Sequence, residues 1–527
     1  MSVDPIAADV IAASLVYASE EMGLAVRNAA YSPNIKERLD HSCALFDARG
    51  RLIAQAEHIP VHLGSLPWGL QQTLAYIART AGPLRPQEMW VVNDPYLSGT
   101  HLNDVTVIRP VFFNDELVGY AANKAHHADV GGMVPGSISS DAPDLFAEGL
   151  VVPPMRVMRA DTVLDEPVNL FRANSRTPDA RSGDLRAQIA GNVVGERRLL
   201  ELYERYGAAC VAEAIERALD ASESRMRAAL RALGDGVHET RDELEDRDGR
   251  PTLTIALRLT LSDGSAHFDY AGTHPQVDYP LNAVYGVTLS GVYYALRAVT
   301  DPTIPMNDGC FRPVSVDVPE GSLLRPRRPA PVGGGNVETS TRNADVVLQT
   351  LAKFVPDRVP ACSGGTMSNV MVGGTTAGGT SWAFYETIGC GMGGRPNSDG
   401  LDGIQCHMTN TLNTPIEAIE RDYPMRVTRY EFAPETGGAG RYRGGNGLIR
   451  ALALVEGTAQ ATLLADRHTK APPGARGGED GSCGVHRIVR SDGSAQELPA
   501  KCSFTWQAGE TVEVRTPGGG GYGSGNR

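Results

Sequence analysis

The chain has 527 residues, more than one hydrophobic core usually serves, so roughly two to four domains are expected. Its 49 Lys and Arg against 62 Asp and Glu leave a formal charge of −13, which argues against a nucleic-acid or anionic-membrane surface. The opening MSVDPIAADVIAASLVYASEEMG has no basic start, and its apolar stretch is interrupted by Asp9 and Glu20, so neither a leader nor a spanning helix is read there and a cytoplasmic protein is expected. Eight cysteines (43, 210, 310, 362, 390, 406, 483, 502) lie far apart with no C-x-x-C pair, and are expected to be reduced core thiols.

Taken in chain order, Pro5 and the spacing of Ile6, Val10, Ile11, Leu15 and Val16 predict an amphipathic helix over residues 5–29. From about 42 to 123 short β-like runs follow, notably 89–93, 105–113 and 117–122, with Asn114-Asp115-Glu116 predicting a hairpin between the last two. Residues 196–233 hold no Pro and one glycine, Gly207, and predict one long or two shorter helices closed by Asp235-Gly236. Alternation over Thr252–Thr260 predicts a strand, with helices at 283–299 and 341–354. Beyond about 360 the chain is glycine-rich, with β-like pieces at 381–387, 426–432, 448–455 and 511–515, the glycines being read as turns and bulges. The whole predicts an α+β (mixed α/β), multi-domain protein: an N-terminal domain, 1–195, a mixed α/β domain, 196–358, and a predominantly β domain, 359–527.

Two clusters carry the functional signal, Thr100-His101-Leu102-Asn103-Asp104 and Lys124-Ala125-His126-His127-Ala128-Asp129. Imidazole and carboxylate are the ligands of borderline divalent metals, and sites that keep an open position use three of them. The hairpin would return the second cluster to the first, and in an extended segment only one of His126 and His127 can face the metal. The competing reading is a set of hydrogen-bonded loop histidines. Asp40, in Glu37-Arg38-Leu39-Asp40-His41-Ser42, is a candidate fourth ligand or general base, or else half of an Arg-Asp pair. His58 and His62 have the interval of a zinc helix, but Pro60 lies between them and no Glu follows His58, so helical presentation is not expected and both structural and substrate-facing roles stay open for the two. Arg342 and Asn343 are either contacts for an anionic intermediate or parts of a turn and helix cap. No Walker A sequence follows Gly333-Gly334-Gly335-Asn336, no G-x-S-x-G elbow occurs, and neither G-x-G-x-x-G (from Gly389 or Gly518) opens a helix, so this chain shows no nucleotide grip of its own.

The ordered motifs Asn93-Asp94-Pro95-Tyr96, Gly99-Thr100-His101-Leu102-x-Asp104, Ala125-His126-His127-Ala128-Asp129-Val130-Gly131-Gly132, Pro135-Gly136-Ser137 and Glu148-Gly149 resemble those of the hydantoinase B/oxoprolinase family. So do Gly183-Asp184-Leu185-x-Ala187-Gln188, Ile304-Pro305-x-Asn307-x-Gly309-Cys310, Thr414-Pro415-Ile416-Glu417, Gly437-Gly438-Ala439-Gly440 and Thr516-Pro517-Gly518-Gly519-Gly520-Gly521-Tyr522-Gly523, so the resemblance spans the chain.

It implies a B subunit that works beside a larger hydantoinase A-type subunit in a hetero-oligomer, A2B2 or similar. The A subunit would bind ATP and Mg and phosphorylate a carbonyl or amide oxygen of a small cyclic amide. Matched residue by residue, the family's metal ligands are His101, Asp104 and His126, with Asp40 completing the site or acting beside it. One divalent ion, Zn, Mn or Fe, is implied, with hydrolysis of the O-phosphorylated intermediate by a metal-activated water and His127, Asp129 or Asp40 as proton acceptor. Two alternatives stand against a cyclic amidase of the hydantoinase, oxoprolinase or lactamase kind: a subunit of an acetone or acetophenone carboxylase, and a non-catalytic, metal-stabilised scaffold for the ATPase subunit.

Overall fold

The computed structural model describes residues 4–56 and 58–525. The first sheet is built from β1 (His41–Asp47), β2 (Leu52–Ala56), β3 (Met89–Val92), β4 (Asp104–Phe113), β5 (Glu116–His126), β6 (Met155–Arg159) and β7 (Thr162–Val163), in the order β2-β1-β5-β4-β3-β6-β7. Because strand side chains alternate, Cys43 and Leu45 of β1 face one core while Ala44 and Phe46 face another. The first core is closed by the helix Pro5–Ala29, which Pro5 starts and whose Asp4 side chain accepts from Ala7 N–H, and by the helix Pro178–Tyr206. The second includes Leu63, Leu66 and Leu70 of the helix His62–Thr80.

The helix Pro178–Tyr206 starts well before the predicted 196, so position 195/196 lies within it. Glycines at 183, 191 and 195 hid its first half, since glycine weakens helix propensity. Two of them exist for packing: a Cβ at Gly191 would lie 2.5 Å from Val26 and one at Gly195 2.5 Å from the Met22 sulfur, so the two helices meet along a glycine seam. After Gly207 a second helix, Ala208–Leu233, completes the pair.

The second sheet holds β8 (Gly236–Glu245), β9 (Pro251–Ser262), β10 (Ser265–Asp269) and β11 (Val314–Asp317), in the order β11-β10-β9-β8, with the β10–β11 pair parallel. The helices Tyr285–Val299 and Ser340–Leu351 lie in the same core. The remaining strands are β12 (Asn369–Thr375), β13 (Ser381–Glu386), β14 (Met425–Phe432), β15 (Leu448–Leu454), β16 (Thr458–Leu464), β17 (Val485–Val489), β18 (Ala495–Leu498), β19 (Lys501–Gln507) and β20 (Thr511–Arg515). They form sheets β13-β12-β16-β19 and β14-β15-β20-β17-β18, whose apolar faces share one core around Trp506, Phe384, Leu452 and Val512. The glycine runs between them serve close backbone approach as well as turns: a Cβ at Gly518 would sit 1.8 Å from the Thr436 carbonyl oxygen. Among the described residues no helix is long and apolar enough to cross a membrane.

Candidate metal centre

The site lies at the open end of the β4–β5 hairpin. Asn114 and Asp115 turn the chain with φ of 50° and 64°, the left-handed pair of a tight hairpin turn. Near the tip Phe112 pairs with Leu117 and Val111 with Gly119, so Val118 is an extra, bulged residue and the register advances by one. Asp104 therefore pairs with His126, and their side chains share a face. His127 falls on the other face.

His101 reaches the same point from the turn before β4. Its Nε2 lies 3.1 Å from Asp104 Oδ1 and 3.2 Å from His126 Nδ1, and His126 Nδ1 is 3.2 Å from the same Asp104 oxygen. A ligand atom from each of the three lies within 4.8 Å of the others. His62, at the N-terminus of its helix, adds a third imidazole: Nδ1 bonds Ser42 Oγ at 2.9 Å and Nε2 lies 3.5 Å from Asp104 Oδ2. All four side chains are buried. Burial opposes a charge on His101, but Asp104 and the Gly333 carbonyl hold its pKa above the ordinary value. Burial likewise opposes ionisation of Asp104, yet His101, His126 and His62 hold its carboxyl well below the usual range, while burial lowers His126.

Of the buried atoms here, His126 Nε2 has no hydrogen-bond partner, and His62 Nε2 and Asp104 Oδ2 have only each other, 3.5 Å apart. Orphaned buried polar atoms are costly unless a ligand satisfies them. The donor set of imidazoles and one carboxylate fits a borderline divalent ion. They line a cavity of ≈ 20 Å³, with Asp40, Asn336, Met367, Tyr385, Met408, Thr409 and Thr411 among its other walls. That space suits an ion or one water molecule, and a ring-sized substrate requires it to widen.

Support comes from several elements. Glu148 Oε1 accepts from Val332 and Gly333 N–H at 2.8 and 2.7 Å, and the Gly333 carbonyl in turn lies 3.2 Å from His101 Nδ1, so the glycine turn orients the imidazole. Tyr385 of β13 stacks on His126, ring centroids 4.7 Å apart, and its hydroxyl donates to Asn369 of β12. Asn336 belongs to a single π-helical turn, Gly335–Thr339, which feeds the helix Ser340–Leu351. Two sheets, the N-terminus of the His62 helix and this turn thus converge on one small space.

Asp40 lines the cavity and its backbone carbonyl accepts from His126 N–H at 3.0 Å. Arg38 points away from it, donating to the Tyr385 carbonyl, Leu412 carbonyl, Thr387 and Thr411, so the Arg-Asp pair of the sequence reading does not form. The structure does not bring His127 and Asp129 to the cavity. His127 Nε2 lies 2.9 Å from Gln188 Oε1 of the helix Pro178–Tyr206, and burial first, then Arg181, lowers it to about 3. Asp129 accepts from the N–H groups of Gly131, Gly136 and Arg176 and from the Arg176 guanidinium, which organises a loop and leaves it no free role at the cavity. Arg342 is buried between Asp242 and Asp466, and Asn343 bonds Tyr270 and Thr288; both are core cross-links. His62 is the site residue whose place the sequence reading left open, and the His58–His62 interval with Pro60 was its signal, since Pro60 sits just before the helix that His62 opens.

The chain is similar to known proteins over its whole described length. Residues 4–525 match the family model described as hydantoinase B/oxoprolinase. It is 35% identical over 529 residues to 5-oxoprolinase 1 of Arabidopsis thaliana, covering 96% of this chain and 41% of that protein, so it spans well under half of that relative. It is 32% identical over 539 residues to the putative D-/L-hydantoinase B subunit of Pseudomonas sp. strain NS671, covering 99% of this chain and 90% of that one. The crystal structure of the ATP-dependent caprolactamase from Pseudomonas jessenii superposes with a TM-score of 0.92 at 31% identity, covering 99% of this chain and 92% of that one. A nucleotide-free acetone carboxylase shares the fold, TM-score 0.91, at 17% identity, covering 99% of this chain and 76% of that one.

Proposed function

The chain belongs to the hydantoinase B/oxoprolinase family, and from that premise we propose that it is the metal-site subunit of an ATP-dependent cyclic amidase. The observation that carries this reading is the convergence of His101, Asp104 and His126 on one buried space with unpartnered donor atoms. These residues would hold one divalent ion, Zn, Mn or Fe, with His62 beside them. When bound, the ion would polarise a substrate oxygen and lower the pKa of water, the two contributions that hydrolysis of an activated amide requires.

The chain's own residues supply the rest. Asp104 keeps both imidazoles turned inward, and the Gly333 carbonyl holds His101 by the ring nitrogen facing away from the cavity. Asp40, on the cavity wall, is the carboxylate placed to accept a proton from water there. Amide resonance makes a lactam a poor electrophile, so ATP is consumed in making a better leaving group. A partner of the hydantoinase A type, binding ATP and Mg, fits this chain's lack of a Walker A sequence. The subunit designation of the Pseudomonas relative and the ATP dependence of the caprolactamase support the same arrangement. The 31% identity to a lactam hydrolase favours hydrolysis over ketone carboxylation, because the likeness to acetone carboxylase, at 17%, bears on the fold alone.

The test is reconstitution with the ATP-binding partner. A panel of hydantoin, N-methylhydantoin, 5-oxoproline and simple lactams is assayed with ATP, with and without bicarbonate. Bicarbonate-independent ring opening that His101→Ala abolishes in folded protein supports the proposal. Turnover that survives loss of the metal rejects it, and turnover that needs bicarbonate and a ketone moves the protein to the carboxylase branch.

A further inference from the structure

Beyond the metal cavity a larger one, of ≈ 430 Å³, is lined by Tyr294, Ser363, Arg395, Gln405, Cys406 and His407 among others. In its wall two cysteines meet. Cys390 and Ile404 form an isolated antiparallel bridge, each donating its N–H to the other's carbonyl at 2.9 Å. Cys406 lies two residues beyond Ile404, its sulfur 3.7 Å from the Ile404 carbonyl, which brings its side chain beside that of Cys390.

The two thiols have different surroundings. Cys390 is 1% exposed and lies beneath Gly364, where an added Cβ would stand 2.6 Å from its sulfur. Cys406 is half-buried and opens to the cavity. Its neighbour His407 has left-handed backbone, φ 58°, and its Nε2 lies 3.0 Å from Asp345 Oδ1. Although burial disfavours the charge, Asp345 raises the His407 pKa, and this ion pair lies beside Cys406. The neighbouring Cys390 thiol, and after it His407, lower the Cys406 thiol against the effect of burial, whereas Cys406 and burial raise Cys390. A cavity-lining cysteine with a lowered thiol pKa next to a shielded thiol is the arrangement of a reactive cysteine and its resolving partner.

We propose that Cys406 is an oxidation site for hydroperoxides and that Cys390 resolves it into a Cys390–Cys406 disulfide. In the first step the Cys406 sulfur attacks the peroxide, an S–O bond forms, the O–O bond breaks, and the departing alkoxide or hydroxide takes the thiol's proton. In the second the Cys390 sulfur attacks that of Cys406, the S–S bond forms, and the S–O bond breaks to release water with the Cys390 proton. Two thiols are oxidised by two electrons and one peroxide is reduced. The consequence is structural, because Met408, Thr409 and Thr411, just past Cys406, form part of the metal-cavity wall.

The full-length chain is treated with hydrogen peroxide, its remaining thiols are blocked with N-ethylmaleimide, and peptides are mapped by mass spectrometry. The expected result is a Cys390–Cys406 cross-link, with Cys406 consumed about tenfold faster than the buried Cys43 or Cys310. In Cys390→Ser the sulfenic acid persists at Cys406 and is trapped by dimedone; in Cys406→Ser the Cys390 thiol stays reduced. Faster oxidation at Cys362, Cys210 or Cys502, or pairing of Cys406 with another cysteine, overturns the proposal, and the wild-type map decides this even if a variant fails to fold.

Discussion

Asp104→Asn removes one negative charge and almost no volume, and that single change should separate metal binding from folding. The carboxylate is 1% exposed and stands 3.1 Å from His101, 3.2 Å from His126 and 3.5 Å from His62. Without metal, the charge on His101 depends on it, and removing one partner of a buried pair costs about 3–5 kcal/mol. His101 escapes part of that cost by shedding its proton, so the metal-free variant should lose no more than about 3 kcal/mol, and the loss should shrink as pH rises through the folded value of His101. Loss of the anionic donor should raise the Kd for Zn²⁺ or Co²⁺ by about a hundredfold or more, some 2.8 kcal/mol. The assay is competition against a chromophoric chelator, together with urea unfolding at fixed free metal. At a metal concentration of about 100 times the wild-type Kd, the wild type gains about 2.7 kcal/mol and the variant about 0.4 kcal/mol. Metal affinity within tenfold of wild type, or equal stabilisation of both proteins by metal, refutes the assignment of Asp104 as the shared anchor.

His62→Ala should weaken metal binding by about ten- to a hundredfold, whereas His127→Ala, bonded to Gln188 on the opposite strand face, should leave it unchanged; chelator competition on both decides, and a larger loss at 127 contradicts the placement. Acid should destabilise the fold: burial holds His41 and His127 down at about 3 and His468 at about 4, so the unfolded chain binds more protons and stability, full above about pH 6.5, falls with pH by up to about 1.4 kcal/mol per unit for each. His101, held above its ordinary value, acts in the opposite sense, its contribution being full below about pH 6.5 and lost as pH rises through its folded value, but one group does not offset three; equal urea midpoints near pH 7.5, 6 and 5 would count against this. Deleting Val118 should cost about 1–3 kcal/mol yet leave metal affinity intact, because Gly119–Ala125 is fixed by seven pairs to β1 and the exposed tip can absorb the change; metal loss from a folded variant would show that the turn sets the register instead.

Much of this architecture was legible because local signals agreed with tertiary packing. The helix Pro5–Ala29 carries its own start in Asp4 and Pro5, and the strands Pro251–Ser262 and Thr511–Arg515 alternate over a half-buried face. The helix Pro178–Tyr206 was legible only in its second half, because glycines that lower propensity in isolation are what allow Met22 and Val26 to pack against it. His62 was obscured by a similar conflict: Pro60 argues against a helix holding both His58 and His62, yet it is compatible with a helix that begins at His62.

The choice between His126 and His127 shows where sequence reasoning stops. Alternation says that only one of two adjacent side chains can join Asp104, and nothing in Ala125-His126-His127-Ala128 distinguishes them. A regular two-residue hairpin closed by Phe113 and Glu116 would set Asp104 opposite Ala125 and put His127 on its face. The bulge at Val118 takes up that one-residue difference at the tip, while the seven pairs of Gly119–Ala125 to β1 hold His126 opposite Asp104. Val118 holds that position through packing, not turn chemistry: it joins the core of the N-terminal helices, and its carbonyl accepts from the Tyr203 hydroxyl on the helix Pro178–Tyr206. The identity of one metal-ligand candidate is therefore set by long-range pairing to β1 and by the packing that accommodates Val118, neither of which a local signal in the sequence shows.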